Sequence, residues 1–191
     1  MTSLSPISAV GYTWEILGVV WLAGLVFAKR TVRSQPAGSM WFQMALALIG
    51  FSLLGSTWFS AGWLGMRFLP SAPKLELVGL ALTIVGCALA IWARITLGSN
   101  WSGRATVKAG HELIQRGPYA LARHPIYTGL LLASVGTAMA MAEWRCLLGL
   151  VLIAILFIAK IGQEEKLMLQ AFPEAYPRYR QRVKALIPGL L

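Results

Sequence analysis

Five apolar runs, at roughly 11–28, 41–64, 76–97, 126–142 and 145–162, constrain this chain more than any other feature of its sequence. About 20 residues at 1.5 Å each cross the hydrocarbon core of a bilayer. All five runs are read as long enough to cross, though the last two are short and joined only by Glu143-Trp144-Arg145, which predicts a tight helical hairpin. With 57% of its 191 residues hydrophobic and 13% charged, the chain lacks the polar surface of a soluble domain. We therefore expect an all-α fold, a polytopic membrane bundle of about five transmembrane helices.

Charge distribution orients the bundle. Of the 17 Lys and Arg residues, 14 fall in the segments 29–40 and 98–125 and in the C-terminal tail, with Arg94 and Lys160 at the boundaries. Arg67, Lys74 and Arg145 lie on the other side. The positive-inside rule then puts the N-terminus outside and the C-terminus in the cytoplasm. The net charge of +10 is what such flanking residues produce, and no nucleic-acid partner is implied by it. MTSLSPISAV lacks the basic n-region and cleavage box of a secretory signal, so the first run is read as a retained span. Cys87 and Cys146 both sit inside apolar runs, which leaves no disulfide framework and no paired-cysteine zinc site. Small residues recur at helical spacing, Gly86 with Ala90 and Gly129 with Ala133 and Thr137, and allow close approach of helix backbones in lipid. With no internal repeat or linker, residues 1–191 read as one domain: two generic spans within 1–93, then a motif-bearing region at 94–188.

Chemistry concentrates in two places. The connection 98–125, GSNWSGRATVKAGHELIQRGPYALARHP, holds both histidines, and irregular polar backbone beside a membrane must be buried in protein or line a wet cavity. The tail continues the fifth run as QEEKLMLQAF, is interrupted at Pro173 and Pro177, and restarts as RYRQRVKAL. Within these, Arg123-His124-Pro125-Ile126-Tyr127-Thr128-Gly129 opens the fourth span with a proline suited to a first helical turn, flanked by an imidazole and a phenol. Lys160 and Glu164 share a helix face, and an ionisable group just inside an apolar run is more often functional than ornamental. Glu165 cannot share that face and is expected to be solvated. His111-Glu112-Leu113-Ile114 with Gly117-Pro118-Tyr119 alternates ligand-reaching side chains with backbone, and no metal is expected, because soft ligands are missing and Glu112 is the only nearby carboxylate.

Taken in order, HELIQRGPYALARHPIYTG, a short hairpin, and EEKLMLQAFPEAYPRYRQRVKALIP resemble the membrane-embedded isoprenylcysteine carboxyl methyltransferase family, with part of the pattern shared by phospholipid N-methyltransferases. The resemblance covers roughly residues 94–188. It implies S-adenosyl-L-methionine as cofactor, leaving as S-adenosyl-L-homocysteine, in a cytoplasmic pocket closed by a loop and the C-terminal helices and open sideways to lipid. It carries cofactor contacts onto His111, Glu112, Leu113, Ile114, Tyr119, His124, Pro125, Ile126, Tyr127 and Glu164. Lys160 stands where eukaryotic members have an arginine facing the substrate carboxylate, and Arg104 takes the place of a loop glutamine; both are expected to position the acceptor.

The expected acceptor is lipid-like, the carboxylate of an isoprenylated cysteine or an analogue. A carboxylate with a pKa near 4 is ionised at pH 7 and needs no general base. Embedding also has a reason, since pulling a prenyl or acyl tail into water costs about 0.8 kcal/mol per CH₂. A lipid-amine N-methyltransferase would instead need a base such as Glu112, Glu164 or a histidine. An NADPH-dependent membrane reductase would need a dinucleotide pocket for which little cytoplasmic chain is present, and a non-enzymatic scaffold leaves the paired motifs unexplained. The sequence leaves oligomeric state open.

Overall fold

The computed structural model describes residues 5–25, 31–34, 37–98, 101, 106–108 and 112–190. Six helices follow in order: α1 (Pro6–Leu25), α2 (Ala37–Gly55), α3 (Pro73–Leu97), α4 (Pro125–Met141), α5 (Trp144–Ala171) and α6 (Ala175–Arg182). Helices α1, α3 and α5 are long and apolar enough to cross a membrane, whereas Met40–Gly55 and Pro125–Met141 are shorter apolar helices. Ile16, Val19, Leu22, Leu48, Val85, Ile95 and Ile158 stay exposed on the outside, the surface expected where lipid is the solvent.

Two helix pairs make the bundle. α3 packs along α4 and α2 along α5, with α1 laid on α3. The α3–α4 seam rests on the small residues seen in the sequence: a Cβ on Gly86 would lie 2.4 Å from the Ala133 nitrogen, and one on Gly129 would lie 2.7 Å from the Ala90 nitrogen. Only glycine allows these backbones so close. Gly136 meets Thr83 in the same way one step further along. Between α2 and α5 the analogous contact is Gly149 against the Gly50 carbonyl. Trp14 joins α1 to α4 by donating to Thr137 Oγ1 at 2.9 Å.

The second run is shorter than its hydropathy suggests. α2 ends at Gly55 rather than near 64, and Thr57–Phe59 and Gly62–Gly65 form 3-10 turns instead. Ser56 begins the first turn, its hydroxyl accepting from Trp58 N. Arg145, read from sequence as part of a polar turn, is fully buried and stops the helix. Its Nη1 donates to the carbonyls of Leu53, Leu54 and Ser56 at 2.9, 3.3 and 3.1 Å, and its Nε to the Glu143 carboxylate at 2.6 Å. The final carbonyls of a helix have no intrahelical donor, and here a guanidinium supplies them. The α4–α5 hairpin is tight as expected, turning at Ala142 with a left-handed φ of 52°.

Among the described residues the regular structure is helical except for one antiparallel ribbon, β1 (Thr31–Ser34) with β2 (Thr106–Lys108), pairing Thr31 with Lys108 and Ser34 with Thr106. The ribbon departs from the expected irregular connection. Two connections that run side by side at one end of the bundle satisfy each other's backbone groups by pairing. Pro177 likewise does not separate two helices but lies in the first turn of α6. Beyond α6 the chain returns across the start of α4, where Arg123 N and His124 N donate to the carbonyls of Lys184 and Ala185 at 2.8 and 2.9 Å.

Candidate functional site

α4 and α5 bring the two motifs together at the end of the bundle where α6 packs. Pro125 opens α4, so the backbone leaves His124 in a non-helical conformation at the mouth. Thr128 N bonds back to the His124 carbonyl, and Thr128 Oγ1 donates to the Leu186 carbonyl at 2.8 Å. The imidazole is thereby set between two consecutive carboxylates of α5. Its Nδ1 lies 3.5 Å from Glu164 Oε2 and its Nε2 lies 3.4 Å from Glu165 Oε1. Tyr127, in the first turn of α4, donates its hydroxyl to Glu164 Oε1. Its ring stacks on His124 at 5.7 Å and on Phe157 at 4.7 Å.

Glu165 corrects the expectation of a solvated side chain. Only 12% of it is exposed, and it accepts from Arg123 Nε at 2.9 Å and pairs with Arg180 Nε at 3.4 Å. Consecutive helical residues diverge by about 100°, so Glu164 faces one way and Glu165 the other; α6 covers the second direction. A carboxylate in such a place must be paired. Matching basic and acidic dipeptides, Arg123-His124 and Glu164-Glu165, were the signal for this in the sequence.

Beyond the cluster lies a cavity of about 460 Å³. Tyr127 and Ile126 of α4 and Lys160 and Phe157 of α5 line it, together with Trp101. The Lys160 ammonium sits 6.0 Å from the centre of the Tyr127 ring. The opposite wall is apolar except for Gln43 and comes from the spans read as generic: Trp21 of α1 and Met40, Gln43, Met44, Ala47 and Phe51 of α2. Trp101 is held edge-to-face against Trp21 at 6.1 Å and lies under the Arg94 guanidinium at 4.2 Å. Arg94 in turn donates to the Gly24 and Gly98 carbonyls at 2.6 and 2.9 Å, tying the ends of α1 and α3 to this wall.

The remaining sequence candidates divide. Tyr119 is buried, and its carbonyl accepts from Tyr179 Oη at 2.5 Å. Ile114 packs with Ala93, Trp101, Tyr119 and Ile126 beneath the cavity. Glu112 is exposed and Leu113 half-buried; neither lines the cavity among the described residues. Arg104 and His111 lie outside the described residues. Among those that are described, no three His, Cys or Glu side chains come together as a metal site.

Electrostatics follow from this packing. Burial acts to lower the His124 imidazole, but hydrogen bonds to Glu164 and Glu165 outweigh it and hold the group above the ordinary histidine value. Burial, reinforced by the Glu164 charge, pushes the Tyr119 phenol well above the usual tyrosine range. Burial lifts Tyr179 to about 12. Both phenols are neutral at physiological pH.

The architecture is that of an integral-membrane helical protein with an ionic, hydrogen-bonded cluster at one end of an apolar cavity. Residues 78–170 match the model of the isoprenylcysteine carboxyl methyltransferase (ICMT) family. The chain is 31% identical to protein-S-isoprenylcysteine O-methyltransferase of Xenopus laevis over 60% of its length and 41% of that protein. It is 32% identical to the probable protein-S-isoprenylcysteine O-methyltransferase of Oryza sativa subsp. indica over 58% of the chain and 60% of the relative. It is also 30% identical to the cobalt-zinc-cadmium resistance protein CzcN of Cupriavidus metallidurans, over 78% of the chain and 60% of that protein. These alignments span 41% to 60% of the relatives' own lengths. The chain is thus similar to the isoprenylcysteine carboxyl methyltransferase family over about half of its length.

Proposed function

We propose that this protein is an integral-membrane methyltransferase that takes S-adenosylmethionine as donor and methylates the carboxylate of a prenylated cysteine or a lipid-like analogue. The observation that carries the reading is the junction of Glu164, His124 and Tyr127 with Lys160 at the head of the apolar cavity. An acceptor with a long tail and one charge fits a chamber with apolar walls and one cationic side chain.

The residues present suit the donor. Its amino-acid end carries an ammonium, and Glu164 is a carboxylate already oriented by Tyr127 and His124. Buried surface from Tyr119, Pro125 and Ile126, with half-buried Ile114 packed against Tyr119 and Ile126, offers an aromatic and aliphatic lining. His111, Glu112 and Leu113 complete the set on the connection. When bound, S-adenosylmethionine supplies an electrophilic methyl whose departure leaves a neutral thioether.

The protein's own task is therefore positioning. No acid is needed for a neutral leaving group, and no base is needed for an acceptor carboxylate that is ionised at pH 7. Lys160, joined by Arg104, holds the carboxylate by charge. A lysine gives a point charge rather than a bidentate fork, so the acceptor keeps an oxygen turned toward the reacting methyl. The aromatic and methionine walls exclude water, and orienting two bound reactants supplies about 7 to 11 kcal/mol of barrier lowering in well-aligned systems. A cation at the head of the cavity favours an anionic acceptor over an amine, which separates carboxyl from amine methylation. We place the cluster on the cytoplasmic side, with five spans and the N-terminus outside, because the basic segments gather at that end.

Calorimetric titration of the detergent-purified protein with S-adenosylhomocysteine, beside NADPH, tests the reading. Saturable binding of the former and none of the latter is expected. A folded sample that binds only NADPH, or neither, overturns it.

A further inference from the structure

The stretch between α2 and α3, residues 56–72, lies at the end of the bundle away from the ionic cluster. The tip of the α4–α5 hairpin fixes its level: Phe68 N donates to the Ala142 carbonyl at 2.7 Å, Trp144 N to the Met66 carbonyl at 3.2 Å, and Ser60 Oγ to the Glu143 carboxylate at 3.1 Å. It also folds tightly on itself, since a Cβ on Gly65 would run into the Ser60 carbonyl. Held in this way, it turns its largest side chains outward. Trp58 is 91% exposed and Trp63 64%, and Phe59, Met66 and Leu69 of the same stretch are exposed with them. Trp144, exposed at the hairpin tip, packs on Phe68 with ring centres 5.5 Å apart. Water is a poor solvent for this surface, because an exposed apolar patch of such size marks a place of contact. The hydrocarbon core suits it no better, since lipid tails cannot satisfy the polar groups of irregular backbone. The boundary between tails and headgroups suits both the tryptophans and the backbone. Helix length leads to the same level: the 17 residues of α4 rise about 26 Å, short of a hydrocarbon core of about 30 Å, so the hairpin tip does not stand out in water.

We propose that residues 57–69, with Trp144, form a membrane-seating surface that lies in the boundary between tails and headgroups of the leaflet opposite the ionic cluster, with Trp58 and Trp63 inserted into lipid. The surface completes the crossing that the short helices α2 and α4 leave unfinished. Two observations commit it to lipid rather than to a second copy of the chain. It continues the lipid-facing sides of the neighbouring helices, where Leu77 and Val78 of α3 and Leu148 and Val151 of α5 are exposed. Its exposed charges, Arg67 and Lys74, are of one sign, which suits lipid phosphates and repels a copy bearing the same pair. The carboxylates at this end are engaged within the protein, Glu143 by Arg145 and Glu76 by the Ser71 hydroxyl. The surface stands independently of the reaction assigned above.

Depth measurement tests this. The full chain carrying Trp58→Cys or Trp63→Cys is labelled with a fluorophore and placed in phosphatidylcholine nanodiscs, which leave both faces open to solvent; the native Cys87 and Cys146 are buried and escape the label. Met66→Cys serves if either variant fails to fold, and Glu174→Cys, at an exposed position beside α6, reports full solvation. Each label is quenched in turn by aqueous iodide, by phosphatidylcholine with a nitroxide high on its acyl chain, and by the same lipid with the nitroxide near the chain end. At positions 58 and 63 the shallow nitroxide should quench about two-fold more than the deep one, and iodide about five-fold less than at position 174. Iodide quenching equal to that at position 174 would show a solvated loop and overturn the proposal. Stronger quenching by the deep nitroxide would show a re-entrant segment, and protection from all three quenchers a face covered by protein such as a second copy; either result overturns it as well.

Discussion

Glu164 is the residue on which most of the site converges. It accepts from Tyr127 and faces the His124 imidazole, so replacing it by glutamine keeps the shape and removes the charge. Hydrogen bonds to charged groups contribute about 1.5–3 kcal/mol, so Glu164→Gln should weaken S-adenosylhomocysteine binding roughly 10- to 100-fold in calorimetry, a larger effect than its cost to thermal stability. Unchanged affinity in the folded variant would remove its role toward the donor. His124 provides a second handle. Its folded value is raised above the unfolded value of about 6.5, so its stabilisation is complete below that pH and is lost as pH rises through the folded value. Thermal unfolding of the wild type in detergent should decline over that window, and His124→Asn should show a flatter profile; parallel profiles would mean that the imidazolium does not hold the carboxylates. These residues were legible because chemically distinctive types sit in a fixed order. Glu165 was read as solvated despite the matching dipeptides, because its burial depends on α6 folding over a face that helical geometry alone leaves open.

At the scale of the element, sequence showed where helices lie better than where they stop. The small-residue spacing anticipated the α3–α4 seam, and it gives a sharp contrast. A methyl at Gly86 meets Ala133 backbone at 2.4 Å, whereas Gly18 has nothing within 4 Å. Gly86→Ala should therefore lower stability by about 1–3 kcal/mol, and Gly18→Ala should be neutral or raise it. Equal effects in a detergent unfolding assay would deny the close approach. The end of α2 could not be read in advance, because it is fixed by Arg145, about ninety residues downstream, whose guanidinium takes the carbonyls of Leu53, Leu54 and Ser56. Each orphaned buried group costs about 1–3 kcal/mol, so Arg145→Leu should destabilise by 3 kcal/mol or more, with Arg145→Lys recovering part of the loss. A neutral Arg145→Leu would show that water replaces the cap.

For the whole molecule, hydropathy and the motif order were enough to indicate a membrane bundle whose chemistry gathers at its basic end. They did not show that the featureless first half builds one wall of the cavity. Trp21, Met44 and Phe51 carry no motif, and their importance comes from facing Lys160 and Tyr127 across the bundle. On the proposed function a division of labour follows, in which α4 and α5 supply the charged groups and α1 and α2 the apolar wall against which a tail would lie. Lys160→Ala should accordingly raise the KM for an anionic acceptor by ten-fold or more while sparing S-adenosylhomocysteine affinity. The central claim is tested most directly by incubating the purified protein with methyl-labelled S-adenosylmethionine and N-acetyl-S-farnesylcysteine and counting base-labile methyl ester. Saturable ester formation that is lost in Glu164→Gln is the expected result; a folded protein that binds both compounds and forms no ester would contradict it.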